Sequence, residues 1–175
     1  MSAFTTGPLR PEQIRSVFPL IREALPDLRL PDWLRFARQM TGRRSDQAGI
    51  VVAQRVGRNY PCGLFCYRVD RDLERGTVLN AEHFVAVDLL EPGAVLAALV
   101  QELEALGKRL GCGAVRSVVH GGQPDVQGGL AAAGHAMEGQ TLLKPLLPGS
   151  KPHTGSKLHK GNTNANRCGS SCPTR

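Results

Sequence analysis

A chain of 175 residues fits one domain, or one domain with a tail, and buries about two-thirds of its unfolded surface. An apolar share of 41% beside a charged share of 21% excludes a wholly disordered chain, and no apolar run approaches the ~20 residues of a membrane helix. The net charge of +7 divides unevenly: residues 1–147 hold 17 Lys and Arg against 15 Asp and Glu, so the basic excess lies mostly after them and nucleic acid is not expected as a partner.

The first residues, MSAFTTGPLRPEQ, have neither the basic start nor the apolar stretch of a signal peptide. Ala3 to Leu9 is a poor strand candidate. From Arg10 to Leu25, Ile14, Val17, Phe18, Ile21 and Leu25 recur at steps of three and four, which predicts an amphipathic helix. Pro11 suits its first turn, Pro26 its end, and Pro19 is expected to kink or split it. A second helix is predicted from Pro31 to Met40, with Trp33, Leu34 and Ala37 facing inward and Thr41-Gly42 ending it. The texture then changes. Gly49–Arg55, Tyr60–Val69 and Thr77–Leu89 read as three strands of an antiparallel meander, because only a few turn residues join them. Cys62 and Cys66 lie four apart, on one strand face and roughly 13 Å from each other, too far for one disulfide or one metal. They are read as core thiols, and Cys112 as a buried one. Pro92–Leu110 carries a long helical stripe ending at Gly111. Ala114–Val119 reads as a strand, Gln123–Ala133 as a weaker helix, and Glu138–Leu146 as a last strand.

Residues 148–175, beginning at Pro148-Gly149, hold one large aliphatic residue, Leu158. Such a segment cannot bury enough apolar area to offset its ordering entropy, so a disordered basic tail is expected after a domain of residues 1–147. Its His153, His159, Cys168 and Cys172 are zinc-ligand types, but their spacing matches no common structural site and no metal is expected. The five cysteines, unevenly spaced, make no disulfide framework, and a cytoplasmic location is expected.

Strand, helix, strand, helix, strand after an antiparallel meander predicts an α/β (α+β) fold: a mixed, mostly antiparallel central sheet flanked by helices. Two segments carry a resemblance to a family. Leu110-Gly111-Cys112-Gly113-Ala114-Val115-Arg116-Ser117-Val118-Val119 resembles a helix end and fifth strand of the GNAT superfamily of acetyl-CoA-dependent N-acetyltransferases. Leu130-Ala131-Ala132-Ala133-Gly134-His135 resembles its later helix end, and residues 140–146 its last strand. The resemblance covers roughly residues 10–146.

It implies a cofactor loop between the fourth strand and the long helix, where glycines let backbone amides approach the pyrophosphate of coenzyme A at a positive helix N-terminus. Here that junction is Asp88-Leu89-Leu90-Glu91-Pro92-Gly93-Ala94-Val95. Gly93 alone falls on a glycine of the motif. Leu90 stands where a basic or amide residue is usual, and Val95 where a second small one is. Asp88 and Glu91 add negative charge, and Pro92 removes a donor. The implied cofactor-binding set is Asp88, Leu89, Leu90, Gly93, Ala94 and Val95. Gln123 joins it at a position whose usual Asn contacts the cofactor arm. The usual acid Tyr is replaced by Leu130.

Glu82 lies on the fourth strand, where the family often places a general base. Because neighbours on a strand alternate, only one of Glu82 and His83 is expected to face the cleft. His120 closes the fifth strand at its C-terminal end, where ligands of such sheets bind, and an imidazole accepts a proton near neutral pH. Glu82 and His120 are therefore the catalytic candidates, and His135 is read as a packing residue. The implied function is transfer of an acetyl group from acetyl-CoA to a small-molecule or peptide amine, by a monomer or homodimer with no membrane partner. The alternative is a non-catalytic GNAT-like binding or regulatory domain that has lost the cofactor loop.

Overall fold

A computed structural model describes residues 3–120 and 123–139, together with Lys144 and Leu146. The tail expected after residue 147, five of the nine positions of the last strand expected at 138–146, and Gly121-Gly122 lie outside the described residues. The two described residues at the start of that last strand, Glu138 and Gly139, are not extended into a strand.

Five strands form one sheet in the order β1 (Phe4–Pro8), β2 (Ala48–Arg55), β3 (Pro61–Asp72), β4 (Gly76–Ala86) and β5 (Ala114–Ser117). The first three pairings are antiparallel and the β4–β5 pairing is parallel. Helices α1 (Phe18–Ala24) and α2 (Leu30–Thr41) cover one face; α3 (Pro92–Arg109) and α4 (Pro124–Ala132) cover the other. β2 is buried from Ala48 to Ala53, as a strand between two helical layers must be. No helix of the described residues is long and apolar enough to cross a membrane.

Each α-helix carries a proline in its first turn, where the missing N–H is an orphan in any case: Pro19, Pro31, Pro92 and Pro124. Pro19 thereby splits the pattern of residues 10–25. Pro11–Gln13 is a 3-10 turn, and the α-helix begins at Phe18. On α2 the buried stripe is Trp33, Ala37 and Met40, with Leu34 half-buried. The Trp33 indole donates a 2.7 Å hydrogen bond to the Ile14 carbonyl and so ties α2 to the turn before α1. On α3, Val95, Leu99 and Leu103 are fully buried against Phe65, Leu79 and Phe84 of the sheet.

Four expectations change. Residues 4–8 do form a strand, because Phe4 to Pro8 pair with Arg55 to Val51, and Pro8 is tolerated at the end of an edge strand. β4 stops at Ala86 rather than Leu89, because the Asp88 carboxylate turns the chain back on itself. Cys62 and Cys66 face opposite ways. A bulge opposite Ala53/Gln54 leaves Cys62 as an extra residue on β3, so it packs toward α3 while Cys66 is buried under α1 and α2. Cys112 is half-buried rather than buried.

Candidate active site

β4 and β5 run together for four residue pairs, Val78↔Ala114 to Ala81↔Ser117, and the ladder ends where Val118 donates to the Ala81 carbonyl at 2.8 Å. β5 stops there, two residues short of the strand end expected at Val119, while β4 continues to Ala86. Among the described residues, the edge of Glu82–Ala86 thus looks onto a gap instead of a strand. Gln123, at the start of α4, reaches into that gap: its side-chain amide donates 2.9 Å to the Phe84 carbonyl. A β-edge that offers backbone donors and acceptors beside a gap suits an extended, amide-bearing ligand.

The same segment of β4 carries a second irregularity. Cys66 pairs with Glu82 and Leu64 with Val85, so Phe65 faces two residues, His83 and Phe84. His83 absorbs the extra residue with φ of 57°, the sole non-glycine residue in left-handed backbone among those described. Phe84 then turns to the α3 side and stacks on Phe65 at 5.6 Å, whereas His83 turns to the α1–α2 side with Glu82. The expectation that only one of Glu82 and His83 faces that side is therefore corrected. Strict alternation fails at a bulge.

This brings three groups together. His83 Nε2 lies 3.9 Å from Glu82 Oε1. The His83 ring stacks on that of His120 at 5.4 Å and 23°, and the edge of Phe36 meets it from α2 at 6.1 Å. His83 Nδ1 is buried with no hydrogen-bond partner. Burial pushes the His83 pKa below its usual value; Glu82 opposes this, while His120 and Arg68 add to it. Burial thus favours the neutral form of the ring. Sequence reasoning passed over His83 because it assumed unbroken alternation, and no local residue pattern announces the bulge.

The junction before α3 is a separate place. The Asp88 Oδ1 atom accepts the amides of Leu90 at 3.0 Å and Glu91 at 2.9 Å, which with Arg55 holds its pKa below the usual carboxylate range. Arg55 Nη2 lies 3.1 Å from both Asp88 oxygens and 3.1 Å from Glu91 Oε2. The amides of Ala94 and Val95 donate to the Glu91 carbonyl. Hence the backbone donors of Leu90, Ala94 and Val95 are already engaged. Leu89 and Leu90 project into solvent, Val95 is fully buried, and Gly93 has open space where a Cβ would stand. The fit to a cofactor is thus uneven: the β4 edge suits an amide-bearing arm, while the junction offers a pyrophosphate few free donors. His135 stands apart, half-buried, with Nδ1 3.4 Å from Ser117 Oγ. No cluster of three or more His, Cys, Asp or Glu suited to a metal occurs among the described residues.

No protein-family model and no curated protein sequence matches the chain. Solved structures do. An aminoglycoside N-acetyltransferase in complex with CoA superposes with a TM-score of 0.70 at 13% identity, over 83% of this chain and 95% of that one. A glucosamine-6-phosphate N-acetyltransferase from Arabidopsis thaliana gives 0.65 at 14% identity, over 82% and 98%. A transcriptional regulator from Bacillus halodurans C-125 gives 0.71 at 12% identity, over 81% and 99%. With its mixed five-stranded sheet, its parting of β4 from β5 and these likenesses across nearly the whole of each neighbour, the chain has the fold of the GNAT superfamily of N-acetyltransferases.

Proposed function

We propose that this protein transfers an acetyl group from acetyl-CoA to an amine. The observation that carries this reading is the bulge of β4 beside the β4–β5 gap, which sets Glu82, His83 and His120 against each other. In the reaction the amine nitrogen attacks the thioester carbonyl, a C–N bond forms, the C–S bond breaks, and the amine proton passes to a base. Glu82 or His120 is that base, with His83 packed between them. The cofactor arm takes the edge of β4 by displacing the Gln123 amide from the Phe84 carbonyl, and the freed amide then hydrogen-bonds the arm. Asp88, Leu89, Leu90, Gly93, Ala94 and Val95 bound the pyrophosphate end, where binding is weak because two acids stand there and the amides are engaged. The neighbours that carry CoA in this fold support the choice of co-substrate.

Titration of acetyl-CoA by calorimetry, followed by an acetyl-transfer assay on a panel of amines, tests the reading. Glu82→Gln and His120→Ala, made separately, are expected to leave cofactor binding intact. The one that removes the base lowers turnover by about 10²–10⁴-fold. If neither slows a measurable transfer, the assignment of the base fails. If the protein neither binds acetyl-CoA nor acetylates any amine, the reading as an acetyltransferase fails.

A further inference from the structure

On β3 and β4, Cys66 stands opposite Glu82 and Arg68 opposite Asn80, with no irregularity between the two pairs. Glu82 and Arg68 are therefore diagonal neighbours, ~7–8 Å apart at Cα, and their side chains leave the same face of the sheet. Farther along that face every charge is engaged. Arg116 donates to Asp72 Oδ2 at 2.8 Å and to Asn80 Oδ1 at 3.4 Å, and Asn80 donates to Asp70 Oδ2 at 2.8 Å. Glu82 and Arg68 stand outside this chain of bonds. Among the described residues, the Arg68 guanidinium has no hydrogen bond and no ion pair, and the Glu82 carboxylate has only the His83 Nε2 contact at 3.9 Å. Both can be reached from solvent: Arg68 is exposed, and the Glu82 side chain is 33% exposed. Two opposite charges fixed on adjacent strands, but not joined, complement a ligand that carries both signs. A charge-assisted hydrogen bond of about 2.8 Å at each end, with the N–C–C–O span of an α-amino acid between them, covers about 8–9 Å, close to the separation of this pair.

We propose that Glu82 and Arg68 together hold the acceptor, and that the acceptor is a free α-amino acid. The inference rests on the acetyl-transfer reading for its chemistry, not for its binding. The ammonium group lies on Glu82, beside the β4–β5 gap. The carboxylate lies on Arg68, over β3, in the bidentate pairing that a planar guanidinium favours. The ammonium gives one proton to the base, and the nitrogen lone pair attacks the thioester carbon. As the C–S bond breaks, the leaving sulfur takes the second proton of the nitrogen, so an N-acetyl amino acid and the free thiol result. The product has lost the positive charge that Glu82 attracted, which favours its release. A plain amine fills only the Glu82 half of the site. The N-terminus of a peptide has an amide where Arg68 calls for a carboxylate, so both are disfavoured.

The full chain is titrated by calorimetry, without acetyl-CoA, with L-alanine and L-leucine and with their decarboxylated counterparts, ethylamine and 3-methylbutylamine. At least one amino acid is expected to bind about tenfold tighter than its own amine, the scale of one charge-assisted pair near water. Arg68→Gln is expected to erase that preference and to leave amine binding unchanged, whereas Glu82→Gln weakens amino acid and amine alike. Arg68 is exposed and its side chain holds no partner, so its replacement leaves the fold intact. The comparison of ligands on the unaltered protein needs no variant at all. If neither amino acid outbinds its amine, or if Arg68→Gln keeps the preference, the proposal is overturned. A preference for the amino acid without any binding of acetyl-CoA leaves the pair of charges standing and sinks the acetyl-transfer reading; measurable transfer to amines with no such preference does the opposite.

Discussion

The spacing between α3 and the sheet is set by a glycine, and this can be tested with one methyl group. A Cβ at Gly63 would stand 2.6 Å from Val95 Cγ1, 2.9 Å from Leu99 Cδ1 and 3.0 Å from the Val85 carbonyl oxygen. The last is backbone of the neighbouring strand. The first belongs to a β-branched side chain in a helix, which has nearly one rotamer. Neither yields cheaply, so Gly63→Ala forces α3 away from β3. Overpacking of this kind costs about 1–3 kcal/mol, and the smaller freedom of alanine in the unfolded chain returns about 0.4–1 kcal/mol. A net loss of about 1–2 kcal/mol corresponds to a fall in melting temperature of about 2–8 °C. Gly93→Ala is the control from the same helix. It meets nothing within 4 Å and lies in the first turn, so it is expected to stabilise by about 0.4–1 kcal/mol. Thermal unfolding followed by circular dichroism measures both. If Gly63→Ala melts with the parent or above it, the close approach of α3 does not set this spacing and the reasoning fails.

Other outcomes follow from the charges. Asp72 accepts hydrogen bonds from Arg116 and from the amides of Glu74 and Arg75, which draw its pKa down to about 2. A depressed carboxylate contributes stability that is present above its ordinary value of 3.8 and is lost as pH falls toward 2. Acid titration should therefore be flatter over that window for Asp72→Asn than for the parent; an unchanged curve refutes the role. His83 acts in the same direction at higher pH. Its lowered pKa means that stability is full above its ordinary 6.5 and declines as the solution is acidified below it, a decline that His83→Leu should lack. Glu91 is half-exposed at the mouth of the proposed pyrophosphate site and shares Arg55 with Asp88. Glu91→Gln should strengthen coenzyme A binding by roughly 2–5-fold, the scale of one charge at contact distance near water, and a weakened affinity by calorimetry would count against placing the pyrophosphate there.

What could be read locally was read from local causes. The stripe from Val95 to Leu106 needs only the helical period, and α3 runs from Pro92 to Arg109 as that stripe implies. The prolines at 19, 31, 92 and 124 mark helix starts because a missing N–H is harmless only there. The meander of β2, β3 and β4 follows from short turns. His120 was singled out by the end of the strand that carries it, and Glu82 by the family resemblance, which places a general base on the fourth strand. The remaining features depend on partners distant in the chain. Residues 4–8 become a strand because residues 51–55 offer an edge, and no pattern within FTTGP announces it. Arg55 engages Asp88 and Glu91 across more than thirty residues. His83 joins Glu82 because β4 holds one residue more than β3 opposite Phe65, and Cys62 leaves the face of Cys66 because β3 holds one more than β2. A period of two fixes which face a side chain takes only while the ladder is unbroken. An inserted residue reverses every face beyond it, and whether one is inserted is decided by the register of two strands against each other, which neither strand carries alone.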